Sequence, residues 1–255
     1  MRKVLVLVPF PLDEQGVANR RAQLREDLVG PDMTFTYKPV TAGPALYDSW
    51  HDLAIADVAM LEAGMDAEEE GYAAVCIDTM SDSGMTALRS VLDIPVIGPG
   101  QASFQIAGLL GEKYSVVTQW DGWLPLYKKA AAAYRLDAKF ASARSINVFP
   151  DVSNLLGGKE EDVFPKLLEA SLACIEEDGA DVICLGSTTM HQAHGWLAER
   201  LPVPIINPGQ LTYKLADMLT ALGLTQSRRA YRRPDVPKKS ELREMMRAAA
   251  AVGVA

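Results

Sequence analysis

The chain has 255 residues, enough for one large domain or two modest ones, and its 49% hydrophobic and 23% charged content is that of an ordinary globular protein. No apolar run approaches the roughly twenty residues that cross a bilayer, and a net charge of −8 argues against nucleic acid as the main partner. Cys76, Cys174 and Cys184 are an odd set without metal-type spacing, which points to reduced thiols in a cytoplasmic protein.

Residues 3–9 are a continuous Val/Leu run, too short for the apolar core of a signal peptide and patterned as a strand buried on both faces. Pro9 and Pro11 stop it. Residues 14–28 are helix-like, 34–40 alternate as a second strand, and 47–70 carry Leu53, Val58, Leu61 and Met65 at helical spacing up to Gly71. Strand 73–77, helix 84–91, strand 95–97 and helix 102–110 follow. The second half is expected to repeat the plan: strand 114–118, helix 124–134, strand 145–149, helix 160–177, strand 182–185, helix 190–200, strand 204–206 and helix 211–222. From Gln226 onward eight Lys/Arg face only Asp235, Glu241 and Glu244, and this basic tail reads as a solvated or subunit-packing segment. Strands alternating with helices of ten or more residues predict βαβ units and parallel sheets.

The two halves also match residue by residue. Gly71 and Gly179, Cys76 and Cys184, and Thr79 and Ser187 are each 108 positions apart. Downstream, Ile94-Pro-Val-Ile-Gly-Pro-Gly-Gln101 faces Val203-Pro-Ile-Ile-Asn-Pro-Gly-Gln210 at an offset of 109, and Ser103/Thr212, Phe104/Tyr213, Ala107/Ala216 and Leu110/Leu219 continue it. Such self-similarity marks a duplicated chain, with a unit too long for a solenoid. The expectation is an α/β protein of two pseudo-symmetric lobes, each a parallel sheet flanked by helices. Residues 1–100, completed by 210–255, make the first lobe and 101–209 the second. Ligands of open α/β sheets bind beyond the carboxyl ends of strands, so Thr79 and Ser187, just past equivalent strands, are expected in a cleft between the lobes.

This pattern resembles the aspartate/glutamate/hydantoin racemase superfamily, closest to its hydantoin and allantoin racemase branch. The resemblance covers the chain to about Leu224. It rests on the duplication, on Gly43-Pro44 ahead of a long helix, and on Glu70-Gly71-Tyr72-Ala73-Ala74-Val75. Met80-Ser-Asp-Ser-Gly84, Leu185-Gly186 and both Ile/Val-Pro-Ile/Val strands complete it. It implies a cofactor-independent enzyme and a homo-oligomer acting on a small carboxylate or cyclic ureide. Racemising members use one cysteine from each lobe, and the positions implied here are Thr79 and Ser187. An aliphatic hydroxyl is too weak an acid to act as a free base near neutrality, so proton transfer falls to Asp78, Asp82 or His191.

Ser81, Ser83, Thr188 and Thr189, with the helix starts at Gly84 and Met190, are expected to cradle a substrate carboxylate. Pro9, Phe10, Thr118 and Trp120 are expected to contact the substrate, and Trp123 and Tyr127 either to wall the pocket or to fill core. His191, four residues beyond Ser187, also fits a nucleophile–base pair, oriented by Asp78 or Asp82. That pair makes a hydrolase of a small amide, lactam or lactone ring the main alternative. A decarboxylase or lyase using the same cradle and a non-enzymatic carboxylate-binding protein also remain. His191 and His194 lack the supporting carboxylate of a His-Glu-x-x-His site, so no metal is expected. Cys76 and Cys184, inside strands, read as core.

Overall fold

Val and Leu runs in the sequence become the central strands of two four-stranded parallel sheets. The computed structural model describes residues 1–151 and 156–252, and the chain divides into two units, Met1–Gly98 with Thr212 onward, and Pro99–Leu211. In the first unit β1 (Arg2–Val8), β2 (Met33–Pro39), β3 (Ala74–Ile77) and β4 (Val96–Ile97) run in the order β2-β1-β3-β4. In the second, β5 (Tyr114–Thr118), β6 (Phe140–Ser145), β7 (Val182–Leu185) and β8 (Ile205–Ile206) run β6-β5-β7-β8.

The duplication is visible in register. Val6 pairs with Cys76 and Cys76 with Ile97 in one sheet; Val116 pairs with Cys184 and Cys184 with Ile206 in the other. Val4–Val8 of β1, all of β3 and all of β7 are buried, as expected of strands covered on both faces.

Helices α1 (Glu14–Arg21), α2 (Trp50–Gly64) and α3 (Met85–Val91) flank the first sheet. Helices α4 (Pro99–Leu110), α5 (Leu124–Ala133), α6 (Glu160–Glu176) and α7 (His191–Ala198) flank the second. Helix α8 (Pro208–Ala221) brings the chain back, and its Thr212 carbonyl lies 3.8 Å from Cys76 Sγ; the matching contact in the other unit is Cys184 Sγ to the Ser103 carbonyl of α4, 3.9 Å. Proline opens both α4 and α8, three residues before their expected starts, because Pro is preorganised for the first helical position.

Other boundaries differ for local reasons. Ser49 accepts from Asp52 N and starts α2 three residues later than expected, and the helix stops at Gly64 rather than at residue 70. Helix α1 ends at Arg21, followed by a short 3₁₀ turn over Glu26–Leu28. Strand β6 occupies Phe140–Ser145 and not 145–149, because Asn147 takes a left-handed φ of 49° just beyond it and Phe149 is exposed.

The basic tail forms α9 (Lys239–Val252), packed on α2 with Met246 buried. Lys239 reaches Asp66 at 2.8 Å and Glu69 at 2.7 Å, Arg243 also pairs with Asp66, and Arg228 and Arg233 both pair with Asp93. Lys239, Arg243, Arg228 and Arg233 of the tail are therefore paired with acids of the same unit that lie outside the tail. No helix among the described residues is long and apolar enough to cross a membrane.

Candidate active site

At the first strand tip, the ladder of β3 continues one residue further, with Asp78 N donating to Leu7 O at 3.0 Å. The Asp78 carboxylate is buried and receives Arg20 Nη1 at 3.1 Å and Gln23 Nε2 at 3.2 Å. Arg20 comes from the last turn of α1, and its guanidinium lies 5.7 Å over the Phe10 ring. Phe10 packs against Tyr47 at 4.9 Å, and the Tyr47 hydroxyl donates to Pro9 O at 2.9 Å. Pro9 and Phe10 thus form the wall around a buried ion pair. Asp78, expected as a base or as an orienter of His191, receives these bonds from Arg20 and Gln23 of its own unit.

Beyond Asp78, three hydroxyls form a chain: Thr79 Oγ1 to Ser81 Oγ at 3.1 Å and Ser81 Oγ to Ser83 Oγ at 2.8 Å. Asp82 sits inside this loop with a left-handed φ of 53°, its N–H bonded to Thr79 O at 3.0 Å. Its carboxylate is buried against the backbone of Gly98: a Cβ there would stand 2.4 Å from Asp82 Oδ1. Only glycine at the end of β4 leaves that space. The amide of Gly84, expected to face an anion, already donates to Asp57 Oδ1 of α2 at 2.8 Å.

The second tip uses different chemistry on the same plan. Gly186 N donates to Val117 O at 2.8 Å, extending β7. Gly186 O accepts from the Tyr127 hydroxyl of α5 at 2.7 Å, and that hydroxyl shares a 2.9 Å bond with Thr118 Oγ1. Burial raises the Tyr127 phenol well above its usual pKa, so it serves as a neutral strut. Thr118, expected to contact substrate, is fully buried and shares its hydroxyl with this strut. A Cβ on Gly186 would lie 2.7 Å from both Thr118 Cβ and the Tyr127 oxygen, so this position too demands glycine.

Ser187 caps a 3₁₀ turn over Thr188–Met190: its Oγ accepts from Thr189 N at 3.2 Å and bonds Thr189 Oγ1 at 2.8 Å. Thr188 and Thr189 are buried, and half-buried His191 follows as the first residue of α7. Trp120 is half-buried, edge-on to Trp123 at 6.0 Å and to Phe149 at 5.5 Å. His194 packs 3.3 Å from Ile205 O, and His51 lies exposed beside Asp52 at 3.3 Å.

Both strand cysteines are sealed. Burial pushes the Cys76 and Cys184 thiols well above their ordinary range, Asp78 adding to the effect on Cys76, so neither supplies thiolate near neutrality. Among the described residues no group of three or more His, Cys, Asp or Glu side chains is arranged to hold a metal ion. Asp82 on one tip and His191 on the other remain as titratable side chains beside the hydroxyl clusters.

Sequence reasoning missed Arg20 and Gln23, whose partner lies more than fifty residues away, and it missed Gly98. The pairing of Gly98 with Asn207 in otherwise matching segments was the available signal at that place.

A family model described as Asp/Glu/Hydantoin racemase matches residues 17–216. The chain belongs to that family. It is similar to a hydantoin racemase of Pseudomonas sp. (strain NS671), 29% identical over 196 residues that cover 76% of this chain and 77% of that one. A hydantoin racemase of Paenarthrobacter aurescens is 25% identical over 232 residues, covering 90% and 97%. Among solved structures, allantoin racemase from Klebsiella pneumoniae superposes with a TM-score of 0.83 at 25% identity, over 93% of this chain and 95% of that one. The Asp/Glu/hydantoin racemase family member described here is thus an enzyme of the racemase/isomerase superfamily.

Proposed function

We propose that this enzyme catalyses racemase- or isomerase-type proton transfer at the carbon next to a carbonyl, on a small carboxylate or a cyclic ureide, without a pair of thiols. One base takes the proton from that carbon. The electron pair moves onto the carbonyl oxygen as an enolate, and a proton returns to the other face. Asp82 and His191 are the groups assigned to proton exchange. Hydroxyls of Thr79, Ser81, Ser83, Ser187, Thr188 and Thr189 hold the substrate's oxygens and the developing enolate charge. Asp78 acts indirectly: its bonds to Arg20 and Gln23 fix the strand end that directly precedes Thr79.

The observation that carries this reading is the pair of equivalent strand tips, each with a run of hydroxyls beside one titratable side chain, while both strand thiols are buried. Ring hydrolysis by Ser187 is less well supported, because its hydroxyl is engaged as the cap of the Thr188–Met190 turn.

Enantiopure allantoin, a 5-alkylhydantoin and glutamate, incubated with the protein in D2O, provide the test. The expected result is loss of optical activity with deuterium incorporated at the α-carbon. Asp82→Asn and His191→Gln are each expected to slow exchange by about a hundredfold or more. A substrate consumed with addition of water or loss of carbon dioxide, and without α-exchange in the recovered material, refutes the proposal.

A further inference from the structure

Asn207 stands at the carboxyl edge of the second sheet, one residue beyond the Cys184–Ile206 pairing, and immediately before α8. It is 5% exposed. Its carbonyl accepts from Leu211 N at 3.1 Å, and its side-chain Oδ1 faces Gln210 N at 3.5 Å. That cap fixes the amide, because turning it over would set Nδ2 against a backbone N–H. Among the described residues the buried Nδ2 donor has no hydrogen-bond partner. Buried donors left unmatched are rare in folded proteins, and those that persist gather at functional sites.

The pseudo-equivalent residue of the first unit is Gly98, one residue beyond the Cys76–Ile97 pairing, where the Asp82 carboxylate fills the space a side chain would take. Flanking residues match on both sides, Val-Ile before and Pro-Gly-Gln after in one half, Ile-Ile and Pro-Gly-Gln in the other. The same place at the sheet edge therefore presents an acceptor in one unit and a donor in the other.

We propose that Asn207 Nδ2 is a specificity-determining donor that takes an oxygen atom of the substrate, either a carboxylate oxygen or the ring carbonyl of a cyclic ureide. This rests on the function proposed above.

Asn207→Asp and Asn207→Ser separate the cap from the donor, since both keep an oxygen for Gln210 N and both lose Nδ2. Each full-length variant is compared with the parent by thermal unfolding without ligand, and by α-deuterium exchange on allantoin, a 5-alkylhydantoin and glutamate. Both variants are expected to unfold within about 2 °C of the parent, with KM raised about tenfold or more. A larger rise for Asn207→Asp than for Asn207→Ser on glutamate alone identifies a carboxylate oxygen as the partner; equal rises on the two ureides identify the ring carbonyl. Unchanged KM in an active protein overturns the assignment, as does a marked loss of stability in both variants with KM intact. If the parent exchanges none of the three substrates, the functional reading itself fails and this inference with it.

Discussion

Replacing Arg20 by Met leaves the Asp78 carboxylate buried with Gln23 as its remaining side-chain donor among the bonds described above. Both partners of the ion pair have side chains only 1% exposed, so neither solvent nor salt screens the loss. Removing one member of such a pair costs about 3–5 kcal/mol, whereas replacing both charges by neutral groups of similar size is often close to neutral. For a chain of this length, about 2–4 °C of unfolding temperature accompanies each kcal/mol. Arg20→Met is therefore expected to melt roughly 6–20 °C below the parent. Asp78→Asn should fall in the same range, and the double variant should recover most of the difference. The measurement is a double-mutant cycle by urea and thermal unfolding, with α-proton exchange recorded well below each midpoint. Activity should fall even in folded Arg20→Met, because Asp78 directly precedes Thr79. A single variant within about 1 kcal/mol of the parent, or a double variant as unstable as the worse single one, refutes the claim that this ion pair holds the tip.

Gly98→Ala places a methyl carbon 2.4 Å from Asp82 Oδ1 and 2.5 Å from Met85 Sδ, so it should displace the carboxylate. The overpacking should cost about 1–3 kcal/mol in urea unfolding, and exchange activity should drop at least about tenfold. Tyr127→Phe strips the donor from the buried Gly186 carbonyl and a partner from Thr118, a loss of about 1–3 kcal/mol by denaturant unfolding. Asp66 supplies a pH test. Burial opposes its ionisation, but hydrogen bonds from Lys239 and Arg243 outweigh that and hold its carboxyl below the usual carboxylate value of 3.8. A carboxyl lowered by folding contributes stability at neutral pH and loses it as pH falls below the ordinary value and through the folded one. Pepsin digestion on acidification below about pH 4 should then release α9 before the sheets, and Asp66→Asn should raise hydrogen exchange over residues 239–252 at neutral pH. Unaltered exchange there would refute the docking role.

The α/β alternation was legible because buried central strands are written as nearly unbroken runs of Val, Ile and Leu, and because helices separate them. Strand β6 was not, since Phe140–Ser145 is an edge strand of small and polar residues, half-buried throughout. The more apolar Ile146–Phe149 beside it carries the stronger pattern, but Asn147 turns the chain away. Hydroxyl positions at the strand tips could be picked out by internal comparison alone. What supports them could not: Arg20 and Asp78 lie 58 residues apart and leave no periodic trace. Thr118, the last residue of β5, likewise gave no sign in the sequence of its bond to the Tyr127 hydroxyl from the next helix.

The two halves share a strand order, a register and a hydroxyl pair at each tip, yet at other equivalent places around the tips their chemistry has diverged. A charged strut, Arg20 to Asp78, answers a neutral one, Tyr127 to Gly186; a carboxylate over Gly98 answers the amide of Asn207. The fold requires none of this, since either strut closes the gap between helix and strand. The sealed cysteines also cannot stand in for missing thiols at the tips. They lie three residues upstream, an odd step on a strand of period two, which turns them toward the helix-covered face and the carbonyls of Thr212 and Ser103. Proton transfer between mirror-image substrates does not need matching groups, because its equilibrium constant belongs to the substrate. Unlike groups change only how kcat and KM are divided in each direction, leaving their ratio equal for the two enantiomers. Divergence of the halves is therefore compatible with racemisation.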